Sequence, residues 1–214
     1  MKISRRLFKH FFISGNYKII IARDKDTLDR VYQFRYEMYC IKDKLLDARH
    51  YPKQRESDEY DQYSIHFVAI NREDEIIGVI RLIRSSDEYL PTEKEFDLEE
   101  LLQGINPESI VEVSRFIIRH DYRKTFLLLD LMKAVFIYST ENEIKFWLGC
   151  VESWFYKTLI SIFGPIRLVA NPRFCFNAMN YPFLLRLSDM ENQLQKKHKF
   201  LYLFLKKKSR KFYF

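Results

Sequence analysis

The stretch Val111-Glu112-Val113-Ser114-Arg115-Phe116-Ile117-Ile118-Arg119 decides the fold. β-Branched and aromatic residues dominate it, so it reads as a strand. Side chains alternate along a strand. Glu112, Ser114 and Phe116 therefore share one face, and Val111, Val113, Arg115 and Ile117 take the other. A carboxylate, a hydroxyl and a guanidinium in an apolar strand are costly to bury unless paired. Taken alone, the nonapeptide reads as a half-exposed edge strand with ordinary polar positions. Its flanks change that reading.

Upstream, Ser64–Ile70 and Glu75–Arg84 read as two strands joined by a turn at 71–74, a hairpin. Arg81 falls inside the second, where it needs an acidic partner or an open cleft. Further back, Tyr17–Ala22 reads as a first strand, and Asp24 or Asp26 can cap a helix over Thr27–Tyr39. Arg35 sits near the apolar side of that helix. It reads as a solvated charge or as an arginine held under a loop by carboxylates. The loop is Lys42–Tyr63, a length that usually marks function or disorder. It carries Glu56-Ser57-Asp58-Glu59-Tyr60-Asp61, which alone reads as a solvated surface.

The segment from Tyr89 to Leu102 reads as weakly structured. Downstream, Thr125–Tyr138 is a strongly apolar helix and Phe146–Val151 a strand. Glu152–Phe163 is a helix stopped by Gly164-Pro165, and Ile166–Val169 is a last short strand. Asn171–Leu185, with Pro172 and Pro182, reads as irregular. The order predicts one mixed α/β sheet, antiparallel in its first half, with a crossover to a parallel neighbour after the opening strand.

At 214 residues, 47% hydrophobic, the chain fits one domain with extensions. We read 1–15 as a basic extension, 16–192 as the domain and 193–214 as a basic aromatic tail. No apolar run is long enough to span a bilayer. Three widely spaced cysteines, Cys40, Cys150 and Cys175, suggest reduced thiols in a cytoplasmic protein and neither a disulfide framework nor a zinc site. The net charge of +7 is concentrated at the ends. Residues 195–214 hold eight Lys/Arg and no acid, and residues 1–15 hold four more, leaving −5 for residues 16–194. That distribution argues against nucleic acid as the partner of the fold.

Four motifs in order carry a resemblance: Arg35-Tyr36-Glu37-Met38-Tyr39, Glu56-x-Asp58-Glu59-Tyr60-Asp61, Gly78-Val79-Ile80-Arg81-Leu82 and Glu112-Val113-Ser114-Arg115-Phe116. The chain resembles the acyl-homoserine-lactone synthases and their relatives, the N-acyl amino acid synthases and the acyltransferases associated with exosortase systems. The segment Asp58–Phe67 is most similar to the last two. The resemblance covers residues 17–125 well and the remainder loosely. It implies a GNAT-type acyltransferase fold: a single mixed, twisted sheet flanked by helices, with a splayed central strand. The homoserine-lactone branch carries a tryptophan a few residues beyond the Arg-Tyr motif. Ile41–Leu46 contains none, which argues against an S-adenosylmethionine-using signal synthase. Ordinary GNAT enzymes hold the coenzyme A pyrophosphate on a glycine-rich turn after this strand. Arg119–Thr125 has no glycine, so the implied donor is the acyl-phosphopantetheine of an acyl carrier protein, with no permanently bound cofactor.

The implied reaction joins an acyl thioester to the amine of an amino acid or similar small molecule. An ammonium cannot attack a carbonyl, so a base must take its proton. Glu112 is the candidate base. Ser114 is placed to orient a water or to protonate the leaving thiolate. Asp58 and Asp61 can bind Arg35, Arg81 and Arg115, closing the loop over the site. With Phe116, these are the substrate-orienting candidates. A bulge in the strand, which the family has, would change the face assigned to Arg115. Arg119, Arg123 and Lys124 are the candidates for carrier docking. His66 reads as a hydrogen-bonded core histidine and Cys150 as a small buried hydrophobe.

The basic tail reads first as a solvated end, then as a contact with the inner membrane face through Phe200–Leu205, then as a carrier-docking segment. Two other functional readings stand beside the first. One is an autoinducer synthase using S-adenosylmethionine. The other is a non-catalytic module holding lipid or nucleic acid through its basic ends.

Overall fold

A computed structural model of the chain describes residues 16–85, 89–164, 166–175, 177–207 and 212–213. The extension expected at 1–15 lies outside them, as does Pro165. The first strand, β1, is Tyr17–Ala22. Asp24 caps helix α1, Lys25–Tyr36, by accepting from the Thr27 amide at 2.8 Å. The helix then widens into one π-helical turn, Glu37–Lys42, and the chain enters the long loop. The hairpin follows as β2, Ser64–Asn71, and β3, Ile76–Arg84.

The segment expected to be weakly structured holds two short helices, α2 (Pro91–Phe96) and α3 (Glu99–Leu102). Proline at the first turn of α2 sets the backbone for helix entry. The deciding strand is β4, Ile110–Ile118. Helix α4 (Leu127–Glu141), strand β5 (Phe146–Glu152) and helix α5 (Ser153–Phe163) follow. Gly164 ends α5 at φ 89°, a conformation that favours glycine.

Next come β6 (Arg167–Leu168), β7 (Arg173–Cys175) and β8 (Ala178–Arg186). The stretch 171–185 is therefore mostly strand, where proline content argued for irregular chain. Pro182 is tolerated because it lies between the residues of β8 that pair β6 and those that pair β7, at a point where no amide is demanded on that side.

The expected tail also differs from its reading as a solvated end. Helix α6 is Leu187–Lys197, helix α7 is Lys199–Lys206, and β9, Phe212–Tyr213, adds to β1 in parallel. Leu194 and Leu205 are buried in the main core, which anchors both helices.

The strands form one sheet in the order β6-β8-β5-β4-β3-β2-β1-β9, with β7 beside β8. Among described residues only β4–β5 and β1–β9 pair in parallel. One face carries the large core under α4 to α7. The other carries two smaller cores, one under α1 and one under α2 and α3. A band of charge separates these two. β4 and β5 pair only over Ile110–Glu112 and Phe146–Leu148, then part, although both strands continue. At the fork a Cβ on Gly149 would stand 2.8 Å from the Val113 carbonyl oxygen, so glycine lets the backbones touch there. This is the splayed central strand that was expected.

Candidate active site

β4 carries a bulge, and the bulge arranges the site. Arg81 faces Ser114 while Val79 faces Ile117, so β4 has one residue more than β3 between them. Arg115 takes the left-handed conformation, φ 48°. Simple alternation breaks at this residue. Arg115 turns to the face of Glu112 and Ser114, opposite to its nominal assignment. Phe116 moves to the other face, packs on the large core and stacks on Phe155 of α5 at 5.7 Å. The expected sharing of one face by Glu112, Ser114 and Phe116 therefore holds for the first two only.

Three arginines and three carboxylates fill the band between the two smaller cores. Arg35, fully buried on the inner side of α1, donates from Nε to Glu56 and from Nη1 to Asp61 at 2.6 Å. Arg81 donates from Nη1 to Asp58 at 2.6 Å and to Asp61 at 2.8 Å, and from Nε to the Ser114 hydroxyl oxygen at 2.9 Å. Arg115 bridges Glu56 and Asp58, each at 2.8 Å from Nη2. Opposite charges are equal in number, which is the condition for burying them.

The loop's own chemistry presents these carboxylates. Asp58 caps a 3₁₀ turn over Glu59–Tyr63, accepting from the Tyr60 amide, and Asp61 accepts from the Asp58 amide at 2.8 Å. The Glu56 amide donates to the Tyr32 carbonyl at 3.0 Å, which ties the loop to α1. Burial works against charge on Glu56, yet Arg115 and Arg35 hold its carboxyl down at about 2. Burial likewise opposes charge on Asp61, and Arg35 and Arg81 hold it at about 2.

Asp58 and Asp61 thus bind all three arginines, as the spacing suggested. Glu56 was missed as a site residue, although it is the wholly buried hub of Arg35 and Arg115. Its signals were its place at the head of the acidic run and in the second of the four motifs. His66, opposite Arg81 on β2, is buried but not hydrogen-bonded. Its Nε2 stands 3.4 Å from Asp61, yet among the described residues neither ring nitrogen makes a hydrogen bond. Burial and then Arg35 push its pKa down to about 4, so the ring is neutral near pH 7.

Glu112 is set apart from the charge cluster. It is 3% exposed and pairs with Leu148 at the last rung before the fork. Thr92 of α2 holds both carboxylate oxygens: its amide donates to Oε2 at 2.7 Å and its hydroxyl to Oε1 at 2.8 Å. Each oxygen keeps a second lone pair. Burial pushes the Glu112 pKa up to about 7, against the pull of Thr92 and the more distant Arg81 and Arg115. Thr92 lay outside every motif and was not anticipated. A cavity of about 590 Å³ opens on the same side of the sheet, between Ser85, Leu90, Ile105 and Ile110. Across the fork, burial and then Glu112 push the Cys150 thiol up to about 12, so no thiolate is available near neutral pH.

The cations expected to dock a carrier are partly engaged. Arg119 pairs with Glu75 and Asp121, each at 2.9 Å, and Arg123 pairs with Asp43 at 2.9 Å. Lys124 is exposed.

Residues 34–133, from α1 through the loop and β4 into α4, match the acetyltransferase (GNAT) domain family. The fold is GNAT-like, and the match covers just under half of the chain. The match spans all six members of the charge cluster as well as Glu112 and Thr92. Among solved structures the GNAT fold seen here is similar to that of MesI, a CoA-dependent acyl-homoserine lactone synthase, with TM-score 0.65 and 16% identity over 91% of this chain and 98% of that one. It is also similar to BjaI, another CoA-dependent acyl-homoserine lactone synthase, solved with SAM and isopentyl-CoA (TM-score 0.59, 20% identity, 84% and 89% covered). A third is FeeM, an N-acyl amino acid synthase from uncultured soil microbes (TM-score 0.62, 18% identity, 83% and 94% covered). At these identities the likeness is one of fold. No curated protein matches the chain.

Proposed function

We propose that this GNAT domain transfers an acyl group from a thioester to the amine of an amino acid or similar small molecule, with Glu112 as the base. The observation that carries the reading is a buried carboxylate poised at about 7 where two strands part. A base with that pKa accepts a proton readily near neutral pH and is still partly ionised. Glu112 takes a proton from the ammonium, and the freed amine attacks the thioester carbonyl. The tetrahedral adduct collapses to the amide and expels the thiolate, and the extra proton on its nitrogen passes through the Ser114 hydroxyl to the departing sulfur. Ser114 accepts from Arg81, so its own hydroxyl hydrogen is free to meet the leaving sulfur. Phe116 and Phe155 border the fork on its apolar face, the side suited to an acyl chain. The charge cluster fixes the loop and has little unpaired charge to spend on chemistry.

Acyl carrier protein is the proposed donor, on the ground that Arg119–Thr125 offers no glycine to a diphosphate. Lys124 and the half-exposed Arg123 are the cations proposed to meet it. The relatives MesI and BjaI are CoA-dependent, so both donors belong in the test. Acyl-carrier protein and acyl-CoA of several chain lengths are offered with a panel of amino acids and with S-adenosylmethionine, and products are read by mass spectrometry. An acyl amide formed faster with the carrier is the expected result. Faster turnover with acyl-CoA would remove the carrier from the account, and methylthioadenosine release would move it to the autoinducer reading.

Thr92 offers a finer check. Thr92→Val removes one of the two hydrogen bonds that favour ionised Glu112 and keeps the side-chain shape. The acidic limb of the pH–kcat profile should move up by roughly one unit, and Thr92→Ser should restore it. A limb that stays in place in both variants would show that Thr92 only packs.

A further inference from the structure

Helix α7 has two unlike sides. Leu205 is buried, and Leu201, Tyr202 and Phe204 pack against the large core. The outer stripe repeats at helical spacing as Lys199, Phe200, Leu203, Lys206 and Lys207, all exposed. Phe200 is 68% and Leu203 54% exposed. Lys196 and Lys197 are exposed just before the stripe, and Lys208, Arg210 and Lys211 follow in sequence. Among the described residues, Glu191 joins this stripe, pairing with Lys206 at 2.9 Å. Charge is thus segregated: the body between the ends sums to −5, and the last twenty residues hold eight cations and no acid.

We propose that the outer face of α7 docks on an anionic lipid bilayer. Lysines on a helix attract anionic headgroups, and apolar side chains projecting between them enter the headgroup–acyl boundary. The stripe is convex and one helix wide, a shape that a deformable lipid surface fits. No helix among the described residues is long and apolar enough to cross a membrane, so the contact lies on the surface. Helix α7 packs on α4, on the sheet face opposite Glu112 and the charge cluster.

Flotation of the full chain with phosphatidylcholine vesicles, with and without phosphatidylglycerol, tests this. Recovery with the anionic vesicles should exceed that with neutral ones by about ten-fold. The variant Phe200→Ser/Leu203→Ser keeps every charge and alters only exposed side chains. It should unfold at the wild-type temperature, keep its turnover of soluble substrates and lose most of the flotation. Undiminished flotation of that variant would mean adsorption of a basic protein only, and would overturn the proposal. So would saturable binding of acyl carrier protein or polynucleotide through Phe200 and Leu203 with vesicles left unbound.

Discussion

Glu56→Ala should destabilise the protein by about 3 to 5 kcal/mol, because it leaves Arg35 and Arg115 buried beside a missing partner. Urea or thermal unfolding would read the loss directly. The contrast is with Asp29, whose ion pair with Arg55 lies on the surface. Solvent and salt screen that pair, so Asp29→Asn should change stability little. Equal effects of the two substitutions would mean that the cluster is no more than a set of surface pairs.

The same cluster sets the response to acid. His66 is held neutral by burial and Arg35, with its pKa pushed down to about 4 from an ordinary 6.5. The unfolded chain therefore takes up that proton first, and stability falls as pH drops from about 6.5 towards 4. Glu56 and Asp61, both held at about 2, add a second loss below their ordinary values of 4.5 and 3.8. Acid unfolding should begin above pH 4 and steepen below it. In a His66→Phe variant the first part should vanish.

Glu112→Gln should have the largest effect on turnover, a loss of about 10² to 10⁴-fold, the usual contribution of a positioned base. Its effect on stability runs the other way. The Glu112 carboxyl is raised from 4.5 to about 7, so its contribution to stability is present at low pH and lost as pH rises through 7. Glutamine stays neutral and can still accept from the Thr92 amide. The variant should therefore match wild type near pH 5 and exceed it at pH 8 by about 2 to 3 kcal/mol. A variant that loses activity and gains alkaline stability identifies a group strained for its task. A variant that loses both would mark Glu112 as a structural brace to α2.

Much of the first half of the fold was legible because its strands follow strict apolar patterns. β1 to β4 fall within a residue or so of their expected limits. Arg35 and Arg81 announced themselves as charges within apolar elements, and acidic residues were at hand to pair them. Three features were not legible, each for a physical reason. The bulge at Arg115 places a residue other than glycine at positive φ, so no composition signal marks it. Thr92 meets Glu112 only because tertiary packing lays α2 over the strand. Glu56 sits in a run of four carboxylates within six residues, and such a run has no period to separate buried members from solvated ones. β8 was hidden by Pro182, which the sheet accommodates between the segments of β8 that pair β6 and β7.

The most direct measurement is the pH dependence of amide formation under saturating acyl thioester and amine, in wild type and in Glu112→Gln. Wild type should yield the acyl amide with an acidic limb near pH 7, and in the variant that limb should disappear along with most of the rate. An unchanged rate and limb in the variant, or thiol release that yields only free fatty acid, would contradict the account.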